Sequence, residues 1–342
     1  VSTLTSALPG LAFPGTTYQG LLLAADAPPA PVLFPDPLDA ALANVASWAP
    51  TCSSWLGTDL LAEDVPIISG GVTASTSTTV QVQCTITVPR FADGRDWLPA
   101  DDPVHPLARF GQTLDIGVRV AGYDGQEWDF PVGKFRVHET DGDDDTVTVT
   151  GMSVLKAVED DNFIVPIVSR QGGTFTSEFR RLTPGQFPVD VHPDLVDRAV
   201  PVGTVWGSER LAALQQLANA WPARLRVDEY GTLLLLPPLP EVPSPAYTLR
   251  DGVGGTVIGV SRTDTREGIY NAVFAKGTQS EDDDTGRPAV FAAAQVKTGP
   301  MSITGPYGRV TREYASPLLT TTAQCQAAAD KMLGDSVRAS RT

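Results

Sequence analysis

Residues 130–163 read FPVGKFRVHETDGDDDTVTVTGMSVLKAVEDDNF. Residues 134–137 and 146–150 flank an acidic turn, Asp141, Gly142, Asp143, Asp144 and Asp145. Val147 and Val149 alternate with Thr146, Thr148 and Thr150. A two-residue period puts the valines on one sheet face and the threonines on the other. The spacing predicts a strand, an acidic turn, a second strand and then a short helical segment. It reads as scaffold, with no pattern of reacting groups.

The same period recurs outward from this stretch. Over 80–88, Val80, Val82, Cys84, Ile86 and Val88 share one face, and Gln81, Gln83, Thr85 and Thr87 the other. Gly70 and Gly71 before it predict a turn or bulge. Over 113–120, Leu114, Ile116, Val118 and Val120 point inward, and Tyr123, Asp124 and Gly125 form a turn. Asp93 and Gly94, then Asp101, Asp102, Pro103 and Pro106, mark a loop. Several strands at this spacing suggest a small barrel or sandwich. Barrel closure would remove exposed edges.

Further on, Leu211, Leu214, Leu217, Ala218 and Trp221 recur at helical spacing, with Ser208 as the expected N-cap and Pro222 as terminator. Residues 225–227 and 233–236 flank Asp228, Glu229, Tyr230 and Gly231 as a hairpin. Strands are expected at 256–260 and 271–276, and a helix at 322–338. Residues 1–59 carry no Lys or Arg and are rich in Ala, Pro, Leu and Ser. A strand at 18–24 and a short helix at 36–43 fit there, and the region reads as an arm. The expected organisation is an arm over 1–59 and a first β-barrel over 60–163. A mixed α/β domain over 164–245 follows, with helix 208–221 and hairpin 223–236. A second β-barrel with a C-terminal helix takes 246–342. The fold class is mainly β with minor α, in two small β-barrels plus accessory domains.

Composition narrows the function. The 29 prolines and 31 glycines suit short strands and many turns rather than a helical bundle. The net charge of −15, with no Lys/Arg cluster, disfavours a nucleic-acid binder, which needs positive charge to release counterions. Cys52, Cys84 and Cys325 are odd in number and form no CxxC pair, so a disulfide framework is disfavoured and assembly in a reducing cytoplasm expected. The first basic residue is Arg90, and no apolar run reaches 18 residues, which disfavours a standard signal peptide and membrane insertion.

Candidate chemistry is thin. His105, His138 and His192 fall in no HxH or HExxH pattern. Asp143, Asp144 and Asp145, and Asp282, Asp283 and Asp284, lack EF-hand spacing and read as solvated turns. Asp251, Gly252, Val253, Gly254 and Gly255 have no phosphate-binding lysine and read as a loop. Trp48, Trp55, Trp97 and Trp128 would suit a sugar platform or, more commonly, buried anchors. No residue is singled out as catalytic, cofactor-binding or metal-ligating, no cofactor is implied, and an enzyme is not expected.

The order of elements resembles the tail hub proteins of long-tailed bacteriophages, particularly minor tail proteins of phages infecting actinobacteria. The resemblance rests on residues 65–72 (VPIISGGV) with the Cys84 strand, and on Phe110, Gly111 and Gln112. It rests also on the apolar-Gly-x-Phe strand at 130–137 (FPVGKFRV) and most closely on 147–153 (VTVTGMS) with Leu155, Asp160, Asn162 and Phe163. It covers about residues 60–342. It implies a baseplate-hub-like homotrimer at the virion's tail tip, assembled in the bacterial host cytoplasm. Six barrels in a ring would continue the tail tube and adapt six-fold to three-fold symmetry. The implied partners are a distal tail protein, a tape-measure protein and tip or fibre proteins, with genomic DNA passing through the lumen without specific binding. The alternatives are a hexameric distal tail protein and a β-rich carbohydrate-binding or hydrolysing module.

Overall fold

The computed structural model describes residues 45–75, 78–240, 266–278 and 290–339. The readings at 18–24, 36–43, 251–255, 256–260 and 281–284 lie outside the described residues. The chain is mainly β with minor α and divides into two units. Of the described residues, the first unit takes 45–160 and 227–232, and the second takes 161–226, 233–240 and 266–339.

The first unit is built on a seven-stranded antiparallel sheet. Its strands are β1 (Val45–Leu56), β2 (Asp59–Ala62), β3 (Ser69–Ala74), β4 (Val82–Pro89), β7 (Gln112–Gly122), β8 (Glu127–Gly142) and β9 (Thr146–Ser153). A two-stranded ribbon, β5 (Phe91–Ala92) and β6 (Arg95–Asp96), stands apart. The order in the sheet is β2-β1-β7-β8-β9-β4-β3. Helix α1 (Val154–Asp160) follows β9 directly. The alternation around the acidic turn is realised: Val147 and Val149 are fully buried and the threonines beside them half-buried.

The sheet curls around its own inner face. In a flat sheet six spacings of about 4.8 Å would put β2 and β3 ~29 Å apart, more than the ~25 Å that seven Cα–Cα steps span when extended. Only residues 63–68 join them, and Val65 N–H reaches Cys52 O at 2.9 Å while Ile68 N–H reaches Thr87 O at 2.8 Å. One core follows, with Cys52, Cys84, Ile86, Leu114, Ile116 and Phe135 among its members. The loop after β6 plugs this core with Trp97 and Leu107. Ser54 Oγ donates to Pro106 O at 2.6 Å and Thr140 Oγ1 to Leu107 O at 2.8 Å, fastening the plug.

Three local readings change. Gly70 and Gly71 lie inside β3, in unbroken register with β4. A Cβ on Gly70 would stand 2.8 Å from Thr85 O, so the glycine serves close backbone approach rather than a turn. Asp93 and Gly94 form the two-residue turn of a hairpin, with φ of 52° and 75°, the left-handed pair of a type I′ turn. The sheet also takes in β1, from the stretch read as arm, and pairs it with β7 along residues 45–56.

The second unit holds β10 (Ile167–Val168), α2 (Phe175–Leu182), β11 (Val189–Val191), β12 (Val205–Trp206), α3 (Arg210–Ala220), β13 (Arg224–Val227) and β14 (Leu233–Leu236). After them come β15 (Ala272–Gly277), β16 (Phe291–Gln295), β17 (Thr311–Ser316) and α4 (Thr322–Ala339). Leu211, Leu214, Leu217, Ala218 and Trp221 are all buried, as the helical period requires. Each leucine contributes roughly 1.5–3 kcal/mol. The expected N-cap is corrected: Glu209, not Ser208, stands at that position and makes no side-chain cap bond. The carbonyl of Ser208 instead accepts from Phe163 N–H at 2.8 Å. Strands β13 and β14 form the expected hairpin, extended by parallel pairing of β11 with β14.

Where a second barrel was expected, residues 266–339 give a mixed three-stranded sheet, with β15 antiparallel to β16 and parallel to β17. Helix α4 packs against it through Cys325, Ala328, Ala329 and Met332. The described residues of this sheet do not close into a ring. A parallel pair needs a crossover, and here the chain between β15 and β17 also supplies β16.

Candidate interaction surfaces

Among the described residues, the candidates for chemistry have structural places. The Nδ1 of His105 accepts from Leu107 N–H at 3.1 Å, which leaves Nε2–H to donate to Asp96 O at 3.0 Å. His138 is exposed at a register shift of β8. The Nδ1 of His192 accepts from Asp194 N–H at 3.2 Å. Asp143 Oδ1 accepts from Asp145 N–H at 2.9 Å and Thr146 N–H at 2.7 Å, and these bonds hold its carboxyl below the usual range. Arg90 closes over the same turn by donating to Asp143 O at 3.0 Å. Among the described residues no three His, Cys, Asp or Glu are placed to share a metal ion.

The thiols are buried and free. Burial pushes Cys84 up to about 12, and Cys52 and Cys325 are also raised by burial. At neutral pH they are thiols, the non-nucleophilic form. The four tryptophans do not act together: Trp97 is buried in the plug, while Trp55 Nε1–H bonds Ser53 Oγ at 3.0 Å.

What the sequence does place on the surface is apolar area. In the first unit β1, β7 and β8 run on past the core. Trp48 pairs with Val120, which pairs with Trp128; Pro50 pairs with Val118, which pairs with Phe130. Cross-strand partners share a face, so these six residues continue the side that carries Cys52 and Ile116. Val120 is buried between its neighbours, but Trp48 is 47% exposed. The opposite face is charged, with Arg119 bonded to Asp129 at 2.7 Å and near Glu127.

In the second unit the ribbon of β10 and β12 carries Val168 opposite Val205. Val205 is 57% exposed and Ile164 fully so; Val165, Val168 and Val202 are exposed beside them. A buried carboxylate anchors this ribbon. Glu178 on α2 accepts from Trp206 Nε1–H at 3.0 Å, from Arg170 N–H at 3.2 Å and from Arg181 Nε–H at 3.0 Å. Arg181 also donates to Val168 O at 3.2 Å. Burial alone would raise the Glu178 carboxyl, but these bonds hold it below its ordinary value. Nothing in a sequence pattern marks Glu178; only the fold brings Arg170 and Trp206 to it. Contiguous exposed apolar residues of this kind mark contact surfaces rather than reaction centres.

No family model matches the chain, and no curated protein matches it. Solved structures align with much of its length. The tail protein from Neisseria meningitidis MC58 aligns with a TM-score of 0.50 at 15% identity, over 84% of this chain and 77% of that one. The 43 kDa tail protein of prophage MuSo2 from Shewanella oneidensis gives 0.49 at 16% identity, over 84% and 80%. The prophage tail protein gp18 from Listeria monocytogenes EGD-e gives 0.38 at 11% identity, over 80% and 68%. At its score and identity the likeness to the Neisseria protein is one of fold.

Proposed function

We propose that this chain is a structural tail protein of a phage-type particle. The observation that carries the reading is the fold shared with the Neisseria tail protein across 84% of the chain. Exposed apolar surface in both units supports it, because a subunit of a permanent assembly must bury such surface on its neighbours.

Within that reading the chain is a tail-tip hub, a homotrimer whose ring continues the tail tube and adapts six-fold to three-fold symmetry. Its neighbours are the distal tail protein, the tape-measure protein and tip or fibre proteins. Part of the −15 charge lines the channel, so DNA passes without adhering. A reconstruction of the particle that carries this chain tests the whole reading. Three copies in a ring coaxial with the tube, with an acidic lumen, are expected. Six copies would favour a distal tail protein, a basic lumen would remove the charge argument, and absence from the tail would overturn the reading.

A further inference from the structure

Charge is divided unevenly between the two units. Among the described residues the first unit carries 20 Asp and Glu against 7 Lys and Arg, and the second 10 against 14. The fold of the second unit gathers part of that basic excess into one place. Lys331 on α4 keeps only 11% of its side chain exposed; its Nζ lies 3.3 Å from Asp335 Oδ2 and donates to Asn219 Oδ1 at 3.1 Å. Arg224 on β13 and Arg312 on β17 both stand close enough to repel it, and Arg226 is drawn to the same Asp335. The Tyr314 hydroxyl feels the charge of both Arg312 and Arg198. The Arg198 guanidinium covers the Phe175 ring at 4.3 Å and donates to Ala220 O at 2.6 Å, with no carboxylate partner among the described residues.

No run of sequence shows this cluster, because its cations come from separate stretches that only the fold brings together. Burial holds the Lys331 ammonium and the Arg198 guanidinium below their usual ranges. Like charges partly withdrawn from water are costly, and an anion brought to them relieves the cost. Arg312 is exposed, so the cluster reaches the surface. Arg198 also lines a groove whose other walls include Val196, Trp221, Pro222, Pro238 and Ala327. An apolar groove with cations beside it has the make-up of a protein interface. A track for nucleic-acid phosphates needs a row of exposed cations instead. The anion that fits is therefore a carboxylate-rich protein surface, and the first unit of this same chain is one. A heterologous contact around a ring sets one patch of each copy against a different patch of the next.

We infer that the cluster of Arg198, Arg224, Arg312 and Lys331 seats the acid-rich first unit of a neighbouring copy. The inference rests on the ring proposed above. Sedimentation velocity of the full chain with Arg312→Glu and with Arg312→Gln tests it, since Arg312 is exposed and circular dichroism checks that the fold survives. Self-association should weaken about tenfold or more for Glu and less for Gln. The wild type should also associate more weakly at about 0.5 M salt than at about 0.05 M. An oligomer indifferent to Arg312→Glu would overturn this contact and leave the ring standing. A wild-type chain that stays monomeric at every concentration would overturn the ring and this contact with it. A benzoylphenylalanine in place of Arg312 supplies a test that does not depend on affinity. Irradiating a mixture of 15N-labelled and unlabelled chains should give mixed-label cross-links to peptides from residues 45–160. Cross-links of uniform label only, cross-links confined to the second unit, or none would overturn the assignment. Binding of a duplex DNA oligonucleotide that is lost in Arg312→Glu would give the cluster to phosphate instead and overturn it too.

Discussion

At Gly151 the chain has room for a hydrogen and nothing more. The residue lies between Cys84 and Val137 in the sheet, and a Cβ would stand 2.7 Å from Cys84 Sγ and 2.9 Å from Phe135 Cβ. Cys84 Sγ is hemmed in by full burial and Phe135 Cβ is fixed by its own backbone, so neither gives way easily. Gly151→Ala should therefore destabilise the first unit by about 1–3 kcal/mol, read as a lowered midpoint in urea. Glu178 sets a different residue-scale expectation. Glu178→Gln leaves the Arg181 guanidinium without its counter-charge and should cost about 3 kcal/mol. The folded carboxyl sits below its ordinary value. Its contribution is present above the unfolded pKa and is lost as pH falls through the folded one. Wild-type stability should thus fall on acidification in denaturant titrations at pH 7 and pH 3, and the Gln variant should show a shallower fall.

At the scale of elements, helix α2 is held by Thr174, whose Oγ1 accepts from Ser177 N–H at 3.2 Å while Ser177 Oγ accepts from Thr174 N–H at 2.8 Å. Thr174→Ala should cost about 1 kcal/mol, and Ser208→Ala close to nothing, since Ser208 does not cap α3. Equal losses in thermal denaturation would restore the sequence-based assignment of that cap. The same elements show what a sequence exposes. Strands β4, β7 and β9 were legible because one face is buried and one half-exposed, so polarity alternates. Strand β1 was not, because 46–50 are exposed on both faces and its burial alternates only from residue 51 on. Helix α2 is eight largely polar residues whose buried Glu178 looks like surface until its partners are in place. Gly70 and Gly71 carry a turn's composition, yet the constraint there is the backbone of β4 lying against them. The apolar surface site was legible only as residue types: Trp48 and Trp128 are 80 positions apart and come to one face on either side of Val120 through the register of β7.

At the scale of the molecule, both units expose apolar residues, among them Trp48 and Val205. Val205→Glu on β12, opposite Val168, should change the stability of the fold by less than about 1 kcal/mol, because Val205 is exposed. In the assembled protein the same change should break association, seen as loss of the oligomer peak in size-exclusion chromatography. Unchanged assembly would move the interface away from this ribbon. The ring is the central claim, and native mass spectrometry of the purified chain addresses it most directly. A trimer predicts a species at three times the 36.2 kDa chain mass. A lone species at 36.2 kDa that persists at high protein concentration would contradict the account.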